Sequence, residues 1–76
     1  MTALVEYLAK ALVEHPDAVS VAERPGDLGN VIELVVAKED LGRIIGREGR
    51  TIKAIRHLLA AAAAKSRSKF SLVIQE

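Results

Sequence analysis

Five cationic residues, Arg43, Arg47, Arg50, Lys53 and Arg56, fall within 14 positions and are opposed there only by Glu48. Among them stand Gly46 and Gly49, three residues apart in the stretch LGRIIGREGRTIKAI. Two readings compete for this segment. A lone G-x-x-G spacing marks a corner between helices, where the chain must turn and side chains would collide. A corner needed only for folding, however, gains nothing from so much like charge, which repels itself. The alternative is a device for holding an anion. Glycines at 46 and 49 remove Cβ atoms that would keep a sugar-phosphate chain at a distance, and the corner opens into a helix amino terminus with free amide donors. Arg47 and Arg50 add guanidinium forks able to grip phosphate oxygens in pairs. Such contacts position a strand without reading its bases.

The rest of the chain narrows the options. Seventy-six residues with no cysteine allow one small core, no disulfide and no thiolate chemistry, which suggests a reducing, cytoplasmic setting. Tyr7 and Phe70 are the only aromatic residues, so the core must be aliphatic. His15 and His57 offer almost nothing to a metal, and Ser66 and Ser68 have no histidine base at a recognisable spacing, so no catalytic residue, metal or cofactor is assigned. The apolar amino terminus is interrupted by Glu6, Lys10 and Glu14, unlike a signal peptide or a membrane span. A net charge of +1 conceals an asymmetry. Residues 1–42 carry three cationic against eight acidic side chains, whereas residues 43–76 carry eight against two. One strongly positive surface is therefore available on a nearly neutral chain.

Positioning the corner requires flanking elements, and periodicity supplies them. Leu4, Val5, Leu8, Leu12 and Val13 predict a first helix capped by Thr2 and ended by Pro16. AVSVAE alternates as a strand with Val19 and Val21 on one face, RPGDLGN reads as a hairpin connection, and VIELVVA is a second strand with Ile32, Leu34 and Val36 inward. Glu39 and Asp40 suit the first turn of a short helix running to about Ile45. After the corner, Arg50 to about Lys65 is the strongest helix, with Ile52, Ile55, Leu59, Ala62 and Ala63 on its core side. FSLVIQ closes as a third strand with Phe70, Leu72 and Ile74 inward. The order is α-β-β-α-α-β, a two-layer α+β domain in which three helices cover one face of a three-stranded sheet. Its other face stays wet or meets a partner.

With that order in place, IIGREGRTIKAI resembles the KH-domain signature: an apolar pair, then G-x-x-G, then x-x-I-K-x-I. The order is that of a type II KH domain with a mixed sheet, and essentially the whole chain, residues 1–76 as one domain, resembles the small bacterial RNA-binding proteins of the KhpA family. The resemblance implies that Gly46, Arg47, Glu48 and Gly49 clamp the backbone of about four single-stranded nucleotides. Arg43, Arg50, Thr51 and Lys53 flank that loop and are expected to share in RNA binding. It also implies an apolar base groove at Ile45 and Ile52, extending to Val35. Glu48 departs from the commonest pattern, which has lysine there, and its carboxylate repels phosphate. Two to three neutralised phosphates would give a shallow log-log salt slope of about −1.4 to −2. Scarce aromatic residues imply little base stacking and weak sequence preference. The function implied is that of a non-enzymatic RNA chaperone or post-transcriptional regulator, with a family link to cell-envelope growth or shape and no small-molecule substrate.

Other features remain open between structure and function. On α-helical geometry Ala54, Leu58 and Ala61 lie about 100° from the core stripe. They are either the margin of a wide core face or a close-packed helix interface. The family resemblance implies a homodimer, or a heterodimer with a larger Jag-type (KhpB) KH protein, and dimerisation would raise the avidity of weak sites. Lys65, Arg67 and Lys69 read as an ordinary solvated loop or as a second strip of the RNA surface. Two rival functions stand beside RNA binding: a protein-interaction subunit built around Leu58, and a helix-turn-helix reader of duplex DNA. The second leaves three strands unexplained.

Overall fold

Ile32 and Leu34 of the central strand and Val36 just past its end are buried between less buried neighbours, and that alternation organises the molecule. The computed structural model describes all of residues 1–76 and contains α1 (Thr2–Leu12), β1 (Ser20–Gly26), β2 (Gly29–Val35), α2 (Leu41–Ile45), α3 (Arg50–Lys65) and β3 (Phe70–Gln75). Single turns of 3-10 helix occur at Pro16–Ala18, Lys38–Asp40 and Arg47–Gly49. The sheet order is β1-β2-β3, with β1 antiparallel and β3 parallel to β2. This is the mixed three-stranded sheet of a type II KH fold. Its register aligns Val21, Leu34 and Ile74 in one row and places Ile32 beside Leu72 in the next. Those side chains share a face because the side-chain period of a strand is two.

The helices cover this face. Ile32, Leu34 and Val36 from the sheet region meet Val5 and Ala9 of α1, Ile44 of α2, and Ile52, Ile55 and Leu59 of α3 in one aliphatic core. Phe70 is half-buried and Tyr7 is exposed, so neither ring belongs to the fully buried set. The opposite sheet face remains uncovered. It carries the Arg24–Glu33 ion pair and exposes Val73.

Several boundaries differ from the sequence expectation. Thr2 is the first helical residue, and Met1 takes the capping position without a side-chain cap. Helix α1 stops at Leu12, well before Pro16, with Val13 already extended at φ −95° and ψ 161°. The reason is a distant carboxylate: Asp40 accepts the amides of Glu14 and His15, each at 3.0 Å, and gives them partners outside a helix. Leu12 is exposed, and Ala9 takes the core position one turn earlier. The hairpin connection shrinks to Asp27 and Leu28. Arg24, Pro25 and Gly26 continue β1 and pair with Val31, Asn30 and Gly29, which Pro25 tolerates because β1 is an edge strand. Lys38–Asp40 forms its own 3-10 turn ahead of α2, and Asp40 is buried rather than displayed toward solvent.

Candidate nucleic-acid interface

The corner between α2 and α3 is made by three successive departures from ordinary backbone geometry. Helix α2 ends when the Gly46 amide donates to the Gly42 carbonyl at 2.8 Å. Gly46 itself adopts φ 77° and ψ 170°, a combination essentially confined to glycine. The Gly49 amide then donates to the Gly46 carbonyl at 3.1 Å, while Glu48 at φ 56° and Gly49 at φ 74° both turn left-handed before Arg50 restarts the helix. The Arg50 amide donates to the Arg47 carbonyl, so α3 starts directly from this 3-10 turn and its amino terminus adjoins the loop.

The two glycines serve different purposes. A Cβ on Gly46 would lie 2.7 Å from the Thr51 amide nitrogen and 2.6 Å from the Thr51 Cβ, so its missing side chain makes room for the protein itself. On Gly49 the nearest heavy atoms to a Cβ would be 3.9 Å away. Of the two, only Gly49 has no neighbouring atom crowding the space a Cβ would fill. Thr51, half-buried, is the residue against which Gly46 closes.

The cations likewise separate into engaged and available groups. Arg43 pairs with Glu14 and lies 3.8 Å from Asp40, which draws its guanidinium toward the end of α1. Arg56 donates to the Leu72 carbonyl at 3.2 Å and so ties α3 to β3. Arg47 and Lys53 are exposed and form no ion pair. Arg50 approaches Glu48 only to 3.9 Å, with both side chains more than 70% exposed (78% and 75%). Glu48 thus offsets part of the loop charge without immobilising it. Of the anticipated groove, Ile45 is exposed, Val35 is half-buried, and Ile52 is a core residue at 7% exposure. Ile45 alone presents substantial apolar surface beside the loop.

Asp40 was the structural residue hardest to anticipate. It is 1% exposed, receives two amides from the α1 exit and faces Arg43, thereby anchoring α2 against α1. Its available signal was the four-residue spacing from buried Ile44, which puts both on one helical face. Elsewhere, Ala54, Leu58 and Ala61 are all exposed on α3, Leu58 by 55%. No three His, Cys, Asp or Glu side chains form a metal-binding group, and no helix is long and apolar enough to cross a membrane.

Known proteins provide the wider comparison. The family model described as KhpA/KhpB, KH domain, matches residues 2–74. A protein named RNA-binding protein KhpA from Chlamydia caviae is 47% identical over 76 residues, covering 100% of this chain and 97% of the relative. The protein of that name from Caldanaerobacter subterraneus subsp. tengcongensis is 51% identical over 69 residues, covering 91% and 92% respectively. The one from Treponema pallidum is 42% identical over 71 residues, covering 93% and 89%. No solved structure matches the chain. A G-x-x-G corner between two helices of an α-β-β-α-α-β fold, together with a family match over nearly every residue, establishes that the chain belongs to the KhpA/KhpB KH-domain family.

Proposed function

We propose that this chain binds single-stranded RNA by receiving its backbone on Gly46–Gly49, as an RNA chaperone or post-transcriptional regulator. The observation that carries the reading is the separation of charges around the corner: Arg47 and Lys53 have no ion-pair partner, whereas Arg43 is held by Glu14 and Asp40. A bare Gly49 and the opening of α3 give phosphate oxygens an approach between those cations. The relatives' printed name, RNA-binding protein, agrees with this reading. Arg47, Arg50 and Lys53 supply the long-range attraction, Gly49 admits the strand, and Ile45 offers an apolar surface to an unstacked base. Replacing both Arg47 and Glu48 with aspartate tests the clamp. The double variant should keep its circular dichroism spectrum and lose most affinity for a fluorescent single-stranded RNA; undiminished binding rejects the reading.

A second function is favoured by the exposed strip on α3. Ala54 and Ala61 bring no bulk to the surface, so another helix can approach closely and cover Leu58. We infer a homodimer or a complex with a larger KhpB-type KH protein through this strip. If RNA contact proves dispensable, the chain acts as a protein-interaction subunit. Retained complex formation in the Arg47→Asp/Glu48→Asp variant would assign the two activities to separate surfaces.

A further inference from the structure

A second concentration of charge lies at the far end of α3, away from the G-x-x-G loop. Lys65, Arg67 and Lys69 alternate over five residues, are all exposed, and take part in no ion pair. The turn that presents them is well defined. The Ser68 amide donates to the Ala63 carbonyl at 2.9 Å, the Arg67 amide donates to the Ala64 carbonyl at 3.2 Å, and Arg67 adopts φ 55°. This is the Schellman closure of a helix, whose left-handed position is usually glycine because a Cβ is strained there. The chain places an arginine in that slot, so a charged side chain occupies a position where backbone geometry alone favours none.

The surface beside the turn is concave. Three clefts lie around it, and all three include Phe70 in their walls. One, of about 370 Å³, is lined among others by Met1, Leu4, Glu23, Asn30, Lys69 and Phe70. Within it, the Asn30 side-chain amide donates to Glu23 at 2.5 Å. The second carboxylate oxygen of Glu23 and the amide oxygen of Asn30 are thereby left as acceptors. Acceptors repel phosphate but suit the amino groups of nucleobases, and an aromatic ring in the wall suits the base itself. The adjoining cations suit the phosphates of the same nucleotides.

We propose that the α3–β3 turn is a second contact site for single-stranded RNA, with Lys65, Arg67 and Lys69 taking backbone phosphates and the Phe70 cleft receiving a base. The proposal rests on the reading of the chain as an RNA binder, but not on the loop being the stronger contact. The 16 residues of α3 separate the two sites by about 24 Å at 1.5 Å per residue. Nucleotides beyond the short tract at Gly46–Gly49 are thus the ones that reach the turn.

The test compares oligoadenylates of about four and about sixteen nucleotides, chosen because the loop alone accommodates roughly four. Arg67→Ala/Lys69→Ala should leave affinity for the short RNA unchanged. For the long RNA it should weaken binding about tenfold and make the log-log salt slope shallower by about 1.4, two contacts at roughly 0.7 each. Lys10→Ala/Lys38→Ala removes the same charge elsewhere and should do neither. An unchanged slope on the long RNA, or equal losses in the two double variants, overturns the second site. Arg67→Gly separates structure from binding, since it should melt at a higher temperature than the parent yet bind the long RNA more weakly; full binding by this variant also counts against the proposal. Retained long-RNA binding in Arg47→Asp/Glu48→Asp together with its loss in Arg67→Ala/Lys69→Ala would reject the loop clamp and uphold the turn. Failure of the parent to bind either RNA rejects both.

Discussion

Gly46 and Thr51 are packed so closely across the α2–α3 corner that a methyl group on the glycine would lie 2.7 Å from the threonine amide nitrogen. Gly46→Ala therefore combines a steric collision with a backbone conformation that alanine strongly resists, and should destabilise the domain by about 2–4 kcal/mol. A domain of this size has only about 4–11 kcal/mol to lose, on roughly 0.05–0.15 kcal/mol per residue. Gly49→Ala meets no such neighbour, and its left-handed φ should cost about 1–2 kcal/mol. Urea denaturation should rank the two variants in that order. If the strand is received at Gly49 as proposed, RNA titration of the folded Gly49→Ala protein should show weakened binding, because the new methyl group would stand in its path. Equal stability of the two alanine variants would contradict the division of labour between the glycines.

The order of elements was readable because each apolar pattern has one dominant period. Ile32, Leu34 and Val36 repeat at two, whereas Ile52, Ile55 and Leu59 repeat at the helical spacing, and all six are buried. Element ends were less legible because long-range partners set them. Nothing local to residues 13–15 indicates that Asp40 will take the amides of Glu14 and His15, and Pro16 offers a nearer, simpler reason for a helix to stop. The same limitation applies to the basic cluster. Five cations are visible as a group in the sequence, but which of them is already paired depends on Glu14 and on the Leu72 carbonyl, 29 and 16 residues away. Gly46 and Gly49 look equivalent as letters; the closeness of Thr51 and the different ψ, 170° against 16°, distinguish them.

Asp40→Ala should expose how much of the fold depends on that carboxylate. Its two oxygens accept the Glu14 and His15 amides at 3.0 Å in a position 1% exposed. Hydrogen bonds to charged groups contribute about 1.5–3 kcal/mol each, less whatever water replaces once the site opens. A net loss of about 2–4 kcal/mol is expected, read as a lower urea midpoint at constant slope. A loss below about 0.5 kcal/mol, the range of ordinary surface substitutions, would show that the α1 exit is held by other contacts.

Arg43 and Arg47 should behave differently although the sequence places both beside the same glycine. Arg43 pairs with Glu14 and approaches Asp40, while Arg47 has no acidic partner. Arg47→Ala should flatten the salt dependence of RNA binding by about 0.7, one contact on a single strand. Arg43→Ala should leave that slope nearly unchanged and alter stability by no more than about 1 kcal/mol, as exposed ion pairs do. Equal slope changes in the two variants would mean that Arg43 leaves Glu14 to meet the RNA.

Leu58→Glu tests whether the exposed strip of α3 holds a second chain. Leu58 is 55% exposed between the exposed small residues Ala54 and Ala61, whereas Leu59, its neighbour in sequence, is fully buried. A carboxylate at position 58 of the isolated chain points into water and should change its melting temperature little. Between two copies the same charge would be taken out of water without a partner and would face its symmetry mate, a penalty that few small interfaces tolerate. Analytical ultracentrifugation should therefore show a concentration-dependent dimer for the parent and a monomer for Leu58→Glu. Short-RNA affinity should persist, because the substitution lies more than two helical turns from Gly49. A Leu58→Glu protein that sediments like a dimeric parent would place the contact between chains on another face, such as the uncovered side of the sheet that exposes Val73.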